Sequence, residues 1–356
     1  MHKVKFNNKV KPLRDLLDQR IKEYFKSANI PEKGNWALYS KTIILFTLLL
    51  AAYLAVVFFL PQTWWLIIPF AFIGFVKASI GFNVMHDAAH GSYSRNPKLN
   101  NFIAFMGGDF IGGSTFFWKI KHNILHHTFT NIDGIDDDIA KYPTFRLSPE
   151  QEPKWFHKYQ WIYGVPLYSL LSLNWIVADD WFKLLRKRIN TTPITTIKAK
   201  DRFWFVFGKL LNVTIFIVLP FIFLPWQIAL VGYLAMHATL GVTLAVVFQM
   251  AHIVEHTEFP VPDASTKRIE NEWAAHQVAT TANFAMKNKA ISWFVGGLNY
   301  QIEHHLYPRI SHIHYPNISK IVQETCEELE IKYHAFPTFW QAFVSHIRFL
   351  KRLGTA

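Results

Sequence analysis

With 356 residues of which 51% are hydrophobic, 16% aromatic and only 17% charged, the chain falls short of the roughly one-quarter charged residues of a soluble domain. Its apolar residues gather in long blocks, which points to a membrane protein. The net charge of +12 comes with no nucleic-acid-binding signature, so its partners are sought among anionic headgroups, acidic substrate carriers and acidic electron donors. Cys326 is the single cysteine, which excludes an internal disulfide, a thiolate zinc site and a self-held iron–sulfur cluster.

Residues 1–40 form a polar, basic segment with Lys3, Lys5, Lys9, Lys11 and Arg14, and no cleavable signal pattern. The apolar run 42–60 has the length of a membrane-crossing helix, and after Pro61-Gln62-Thr63 a second run, 64–83, returns. So short a connection predicts a helical hairpin. Runs 203–224 and 227–249 predict a second hairpin about Pro225-Trp226, with Lys209 placed to snorkel toward the interface. Trp64, Trp65, Trp204 and Trp226 lie near the run ends, as interfacial aromatics do.

Two stretches are less regular. Residues 101–118 are nearly long enough to cross, but Gly107, Gly108, Asp109, Gly112 and Gly113 interrupt them. Residues 155–182 mix aromatics with Lys158, Asp179 and Asp180 and read as helix lying on the membrane surface. Basic residues precede both hairpins, the second set being Lys183, Arg186, Lys187, Arg188, Lys198, Lys200 and Arg202, while both hairpin turns are uncharged. The excess of positive charge on one side places both termini and the middle segment in the cytoplasm.

Histidine carries the chemistry. Of 17 histidines, His86 and His90 sit in HDAAH, His122, His126 and His127 in HNILHH, His252 and His256 in AHIVEH, and His304 and His305 in QIEHH behind Gln301. Spacings of three and four put side chains on one helix face. One such pair is more often packing than ligation; four clusters, all at the cytoplasmic ends of apolar runs or in cytoplasmic segments, have no chance explanation. Were 101–118 to cross, the first two clusters would lie on opposite sides of the bilayer, so this stretch is expected to dip and return. Imidazole alone suits iron, copper, nickel or zinc. Eight histidines exceed the needs of one metal and imply two. HExxH is absent, as are a nucleophile elbow, a phosphate loop and a dinucleotide fingerprint.

In this order and with their flanks, HDAAHGSYS, HNILHHTFTNIDG and GGLNYQIEHHLYPRISHIHYP resemble the membrane fatty acid desaturases, and within them the front-end acyl desaturases, where glutamine replaces the first histidine of the third box. The resemblance runs from about residue 41 to about 333. It implies an all-α integral membrane fold: four transmembrane helices in two hairpins, with a cytoplasmic helical cap holding the metal site and a tail over 334–356. It implies two iron ions held by His86, His90, His122, His126, His127, His252, His304 and His305. Gln301, His256, Asp87 and Glu303 are further candidates, as ligands or as partners of ligands. Asp136, Asp137 and Asp138 are candidates to accept ligand N–H bonds, and His276 and Asn283 lie near the site. The implied reaction uses O2 and two electrons to remove two hydrogens from adjacent methylenes of a glycerolipid- or CoA-linked chain, leaving a cis double bond. The haem motif of a fused cytochrome b5 domain is missing, so electrons are expected from a separate donor such as a ferredoxin or cytochrome b5.

Three other readings compete. A di-iron acyl hydroxylase shares the same boxes and differs in product. A histidine-rich metal transporter would place its sites on broken helices near the midplane; here the clusters flank the runs, and His237, within one, is expected to make a packing or polar contact. A membrane haem cytochrome would need its paired axial histidines inside the helices, where they are not.

Overall fold

A computed structural model describes residues 4–141 and 143–355; Lys3 of the basic N-terminal segment lies outside them. Four helices are long and apolar enough to cross a membrane: α2, Trp36–Phe59; α3, Trp64–His90; α8, Ala199–Phe223; and α9, Trp226–His252. Helices α3 and α9 contain the expected runs 64–83 and 227–249 and extend beyond them, while α2 and α8 start earlier than expected and stop one residue short of the run ends. Helix α2 begins at Trp36 because the Asn35 side chain accepts from Ala37 N at 2.9 Å, an N-cap bond. Helix α3 continues through HDAAH until Gly91, at φ 72°, ends it with a left-handed turn. Helix α9 likewise carries His252 as its last residue.

The four helices are not equivalent. In α3 and α9, 61% and 56% of the apolar span is buried, against 28% and 33% in α2 and α8. The first pair therefore forms the interior. Glycine lets the two approach: a Cβ on Gly74 would overlap the carbonyl oxygen of Met236, and one on Gly232 the ring of Phe70. Outward, α2 and α8 leave Ile43, Leu50, Leu210 and Ile222 exposed, and Trp65 and Trp226 stand exposed near the run ends, an apolar band with aromatic borders.

Helix α1 (Pro12–Ser27) precedes these spans. Between α3 and α8 the chain forms α4 (Pro97–Gly107), a turn, then the helical stretch α5 over residues 115–129. The turn at Gly108–Ser114 interrupts the 101–118 run, with Gly112 at φ 125°, and the run is not among the four candidate spans. Helices α6 (Gln160–Tyr168) and α7 (Leu171–Arg186) follow, bent by 68°; with residues 157–159 they are together apolar enough for a broken span. That departs from the surface helix expected over 155–182. Lys209 also departs from expectation. It turns inward and donates to Gly112 O and Trp175 O at 2.9 Å and to Asp180 at 2.7 Å, fastening α8 to the interrupted segment and to α7. An inward amine with three acceptors is better satisfied than a single apolar environment would allow. Lys183, from the basic flank, is buried and paired with Asp179 at 2.6 Å.

The remaining helices are α10 (Trp273–Ala279), α11 (Lys289–Phe294), α12 (Gln301–Leu306), α13 (Tyr315–Glu328) and α14 (Phe339–Thr355). Helix α1 buries Leu13, Leu17, Ile21 and Phe25 against α10, α12 and α13. Two-residue parallel pairings, Lys5–Phe6 with Arg268–Ile269 and Asn283–Phe284 with Ala335–Phe336, tie distant segments together. Helix packing through Gly74 gives a direct test. Gly74→Ala should lower the thermal midpoint in detergent, on the scale of overpacking, about 1–3 kcal/mol. Gly81→Ala, whose added Cβ meets only Leu244 at 3.7 Å, should leave it unchanged.

Candidate metal centre

The eight box histidines converge. His86 and His90 come from the end of α3, His252 from the end of α9, His304 and His305 from α12, and His122, His126 and His127 from α5. All eight are buried. Ligand atoms of His86, His90, His122 and His304 lie within 4.8 Å of one another, and so do those of His126, His252 and His305. His127 sits between the two groups, its Nε2 3.1 Å from that of His122 and its ring stacked 4.4 Å from His305.

Local helix geometry explains how α5 serves both groups. Residues Lys119–His126 are π-helical, and the His127 N–H closes onto His122 O, five residues back. An α-helix would set residues five apart on different faces; the wider turn brings His122 and His127 together. A second π-helical turn, Gly81–Met85, lies immediately before His86.

The outward nitrogens have partners that fix the rings. His126 Nδ1 faces both oxygens of Asp136, at 3.0 and 3.1 Å. His305 Nδ1 donates to Gln277 Oε1 at 2.8 Å, His252 Nδ1 to Thr280 O at 3.3 Å, and His304 Nδ1 meets Tyr315 OH at 3.1 Å. Carboxylate, amide and carbonyl oxygens only accept, so Nδ1 carries the proton and Nε2 keeps a bare lone pair. The Nε2 atoms of His90, His252, His304 and His305 are buried with no hydrogen-bond partner among the described residues. Burial holds the pKa values of His122, His127, His304 and His305 well below normal, which keeps them in the neutral, ligating form. Burial opposes charge on His126 too, but Asp136 and Asp138 outweigh it and raise its pKa. Two clusters of buried imidazoles, four of them with unpartnered Nε2 atoms, are a donor set that fits two divalent transition-metal ions.

Other predicted residues fall around the centre. Asp87 points away from it, accepting from Ser311 Oγ at 2.7 Å and facing His312 Nδ1 at 3.1 Å. His312 Nε2 in turn meets Lys41 Nζ at 3.0 Å. Glu303 is bound by Asn283 Nδ2 and Tyr333 OH, both at 2.8 Å; burial pushes its pKa up to about 7. Successive helical residues face different ways, so neither acid can serve the histidine beside it. Gln301 is buried with Nε2 unpartnered. His256 lies outside both histidine groups and stacks on His334, at 5.8 Å. His276 is buried against Phe6, at 5.0 Å. Asp138 binds Lys121 at 2.7 Å and lies 3.3 Å from His126, and Asp137 is within 3.5 Å of Lys121. Gln277, Thr280 and Tyr315 were not singled out by sequence; the polar run HQVATTANF was the only signal for the first two.

Two cavities meet at this centre. The outer, of about 420 Å³, is lined by His122, Lys121, Asp138, Lys141 and Leu171 among others. The inner, of about 60 Å³, reaches from His86 past Phe82, Ile111 and Leu244 to Lys77 and His237. Trp118, Trp175 and Phe248 line both.

The family described as "Fatty acid desaturase" matches residues 62–337. The chain belongs to the fatty acid desaturase family. This desaturase is 36% identical to the sn-1 linoleoyl-lipid 6-desaturase of Synechocystis sp., over 99% of this chain and 98% of that protein. It is also 36% identical to the sn-1 linoleoyl-lipid 6-desaturase of Arthrospira platensis, over 96% and 92% of the two chains. An acyl-lipid (8-3)-desaturase of Physcomitrium patens is 36% identical over 95% of this chain and 71% of its own. These relatives place it among the front-end acyl desaturases, which are oxidoreductases.

The orienting bonds make a specific prediction for the desaturase. Asp136→Ala should lower metal retention roughly 10- to 100-fold, read as metal per chain after dialysis against a graded chelator. Asp87→Ala, at a carboxylate that faces Ser311 and His312, should lower it less.

Proposed function

We propose that this front-end desaturase introduces a cis double bond at C6 of a polyunsaturated acyl chain carried by a membrane glycerolipid. The observation that carries the reading is the pair of adjacent, buried imidazole groups, in which the Nε2 atoms of His90, His252, His304 and His305 are unpartnered. His86, His90, His122 and His304 would hold one iron, His126, His252 and His305 the other, with His127 between them. Once bound, the iron pair supplies the oxidising power that, with O2 and two electrons from a ferredoxin or cytochrome b5, removes two hydrogens.

The chain's own residues do the rest. Asp136, Gln277 and Thr280 hold three imidazoles in the ligating tautomer. Burial excludes water, which protects the oxidant from side reactions. The outer cavity, with Lys121, Asp138 and Lys141 on its wall, receives the ester and headgroup; the inner one, mostly apolar though Lys121, Asp180 and Lys183 also line it, receives the methyl side. The reacting carbons then lie where the cavities meet, beside His86 and His122. An acyl chain offers no polar handle near those carbons, so position is set by the two ends. The acyl-lipid names of the relatives favour a lipid over a CoA carrier.

The same reading orients the molecule. Residues 1–40, the 41–333 unit and the 334–356 tail present their polar parts to the cytoplasm; α2–α3 and α8–α9 form two hairpins; and the metal centre lies under a cytoplasmic helical cap. Expressed in a host lacking polyunsaturated lipids and fed linoleic acid, the chain should yield a product two mass units lighter with the new bond at C6, by gas chromatography–mass spectrometry. His127→Ala should abolish it. The purified protein should carry about two irons per chain, and less than about one would overturn the di-iron assignment.

A further inference from the structure

The inner cavity runs along two interior helices that lie side by side in the same direction, since Gly81 faces Leu244 and the Phe82 ring lies 5.8 Å from that of Phe248. His86 is at one end of it and Lys77 and His237 at the other. The walls between are mostly apolar, although Lys121, Asp180 and Lys183 also line the cavity, and that far end is polar. Lys77 is fully buried, and its Nζ has no hydrogen-bond partner among the described residues, resting 3.9 Å over the face of Phe216. His237 is fully buried as well, with Nε2 unpartnered.

Ser172 fixes what His237 presents. Its Oγ donates to His237 O at 3.0 Å and lies 2.8 Å from His237 Nδ1. The single hydroxyl proton is committed to the carbonyl, so Nδ1 donates to the Ser172 oxygen and a neutral ring shows a bare lone pair at Nε2. Lys77 Nζ offers donors only. A donor and an acceptor, both buried and both unmet, therefore border one small space, and an ionisable side chain left so within a membrane helix is costly unless it serves a site.

We propose that Lys77, His237 and Ser172 form a polar floor to the acyl path, holding a small hydrogen-bonding ligand, water, that accepts from Lys77 Nζ and donates to His237 Nε2. This inference rests on the acyl-path reading above. A methyl end can meet such a floor but not replace it, because hydrocarbon satisfies neither nitrogen; a longer chain would have to expel the ligand and leave two buried polar atoms bare. From His86 to Lys77 the helix rises about 13 Å at 1.5 Å per residue, the length of roughly ten or eleven extended carbon–carbon bonds. A chain oxidised at C6 and C7 would bring its eighteenth carbon to that level. The floor thus selects eighteen-carbon chains and rejects longer ones.

The test uses the full chain in the same host, fed linoleic acid or the 20-carbon 9,12-diene, which lengthens only the methyl end. The wild type should convert the longer diene at least tenfold less well. Lys77→Met keeps the side-chain length and removes the donors, and should narrow that ratio at least threefold; His237→Leu should do the same independently if one variant fails to fold. A wild-type ratio near one, or an unchanged ratio in both variants, overturns the floor. So does relaxation by Lys77→Ala without Lys77→Met, which would make volume the determinant. Absence of any wild-type product from linoleic acid would instead bring down the desaturase reading beneath it.

Discussion

Bare imidazole nitrogens turned toward one another in a dry interior are the constraint on which the rest of this structure depends. Each Nε2 left without a hydrogen bond costs free energy, and several together are tolerated only where a metal completes them. The cost explains the surroundings. A ring that shows a lone pair inward is best held when its other nitrogen is satisfied outward, and Asp136, Gln277, Thr280 and Tyr315 provide this from three different segments. Neutral rings in turn require burial without nearby anions; where carboxylates do approach, at His126, the balance shifts and the proton is held more tightly.

Delivery of the ligands falls to the two interior helices. Helices α3 and α9 pack through glycines and carry their apolar periodicity past the expected run ends, so His86, His90 and His252 are rigid extensions of the membrane core. The interrupted segment between α4 and α5 brings the second box back to the same end. Lys209, bonded to Gly112, Trp175 and Asp180, clamps that segment and α7 against α8. Glycine lets this segment pack closely, since a Cβ on Gly107, Gly108 or Gly112 would overlap Met85, Thr115 or Ile176, and these glycines line the inner cavity.

Much of this was readable without coordinates. Membrane runs are long, their composition is extreme, and crossing a bilayer needs nothing but local sequence, so the four long apolar helices overlap the four expected runs, with ends that differ by up to seven residues. The histidine boxes were legible for a similar reason, since spacing on one helix is a local property. Helix ends were less so, because polar residues such as those of HDAAH continue a helix when other chain segments bury them. Residues 155–182 resisted because their mixture of aromatics and charge suits a surface helix, and suits equally a bent one whose Asp180 is buried against Lys209.

The sequence by itself therefore determined a helical membrane fold with four long apolar helices, the histidine clusters and the family, all of which rest on residues near one another in the chain. Only the tertiary structure decided how those histidines divide into two groups, since partners such as His86 and His304 are brought together by packing that no periodicity encodes. It also decided which acid faces a box histidine nitrogen: Asp136 does, at His126, while Asp87 and Glu303, though adjacent to histidines, face other partners. Local π-helical widening set the place of His127. In each case the deciding quantity was the direction of a side chain across a contact between distant segments, and that is fixed only when the whole chain has folded.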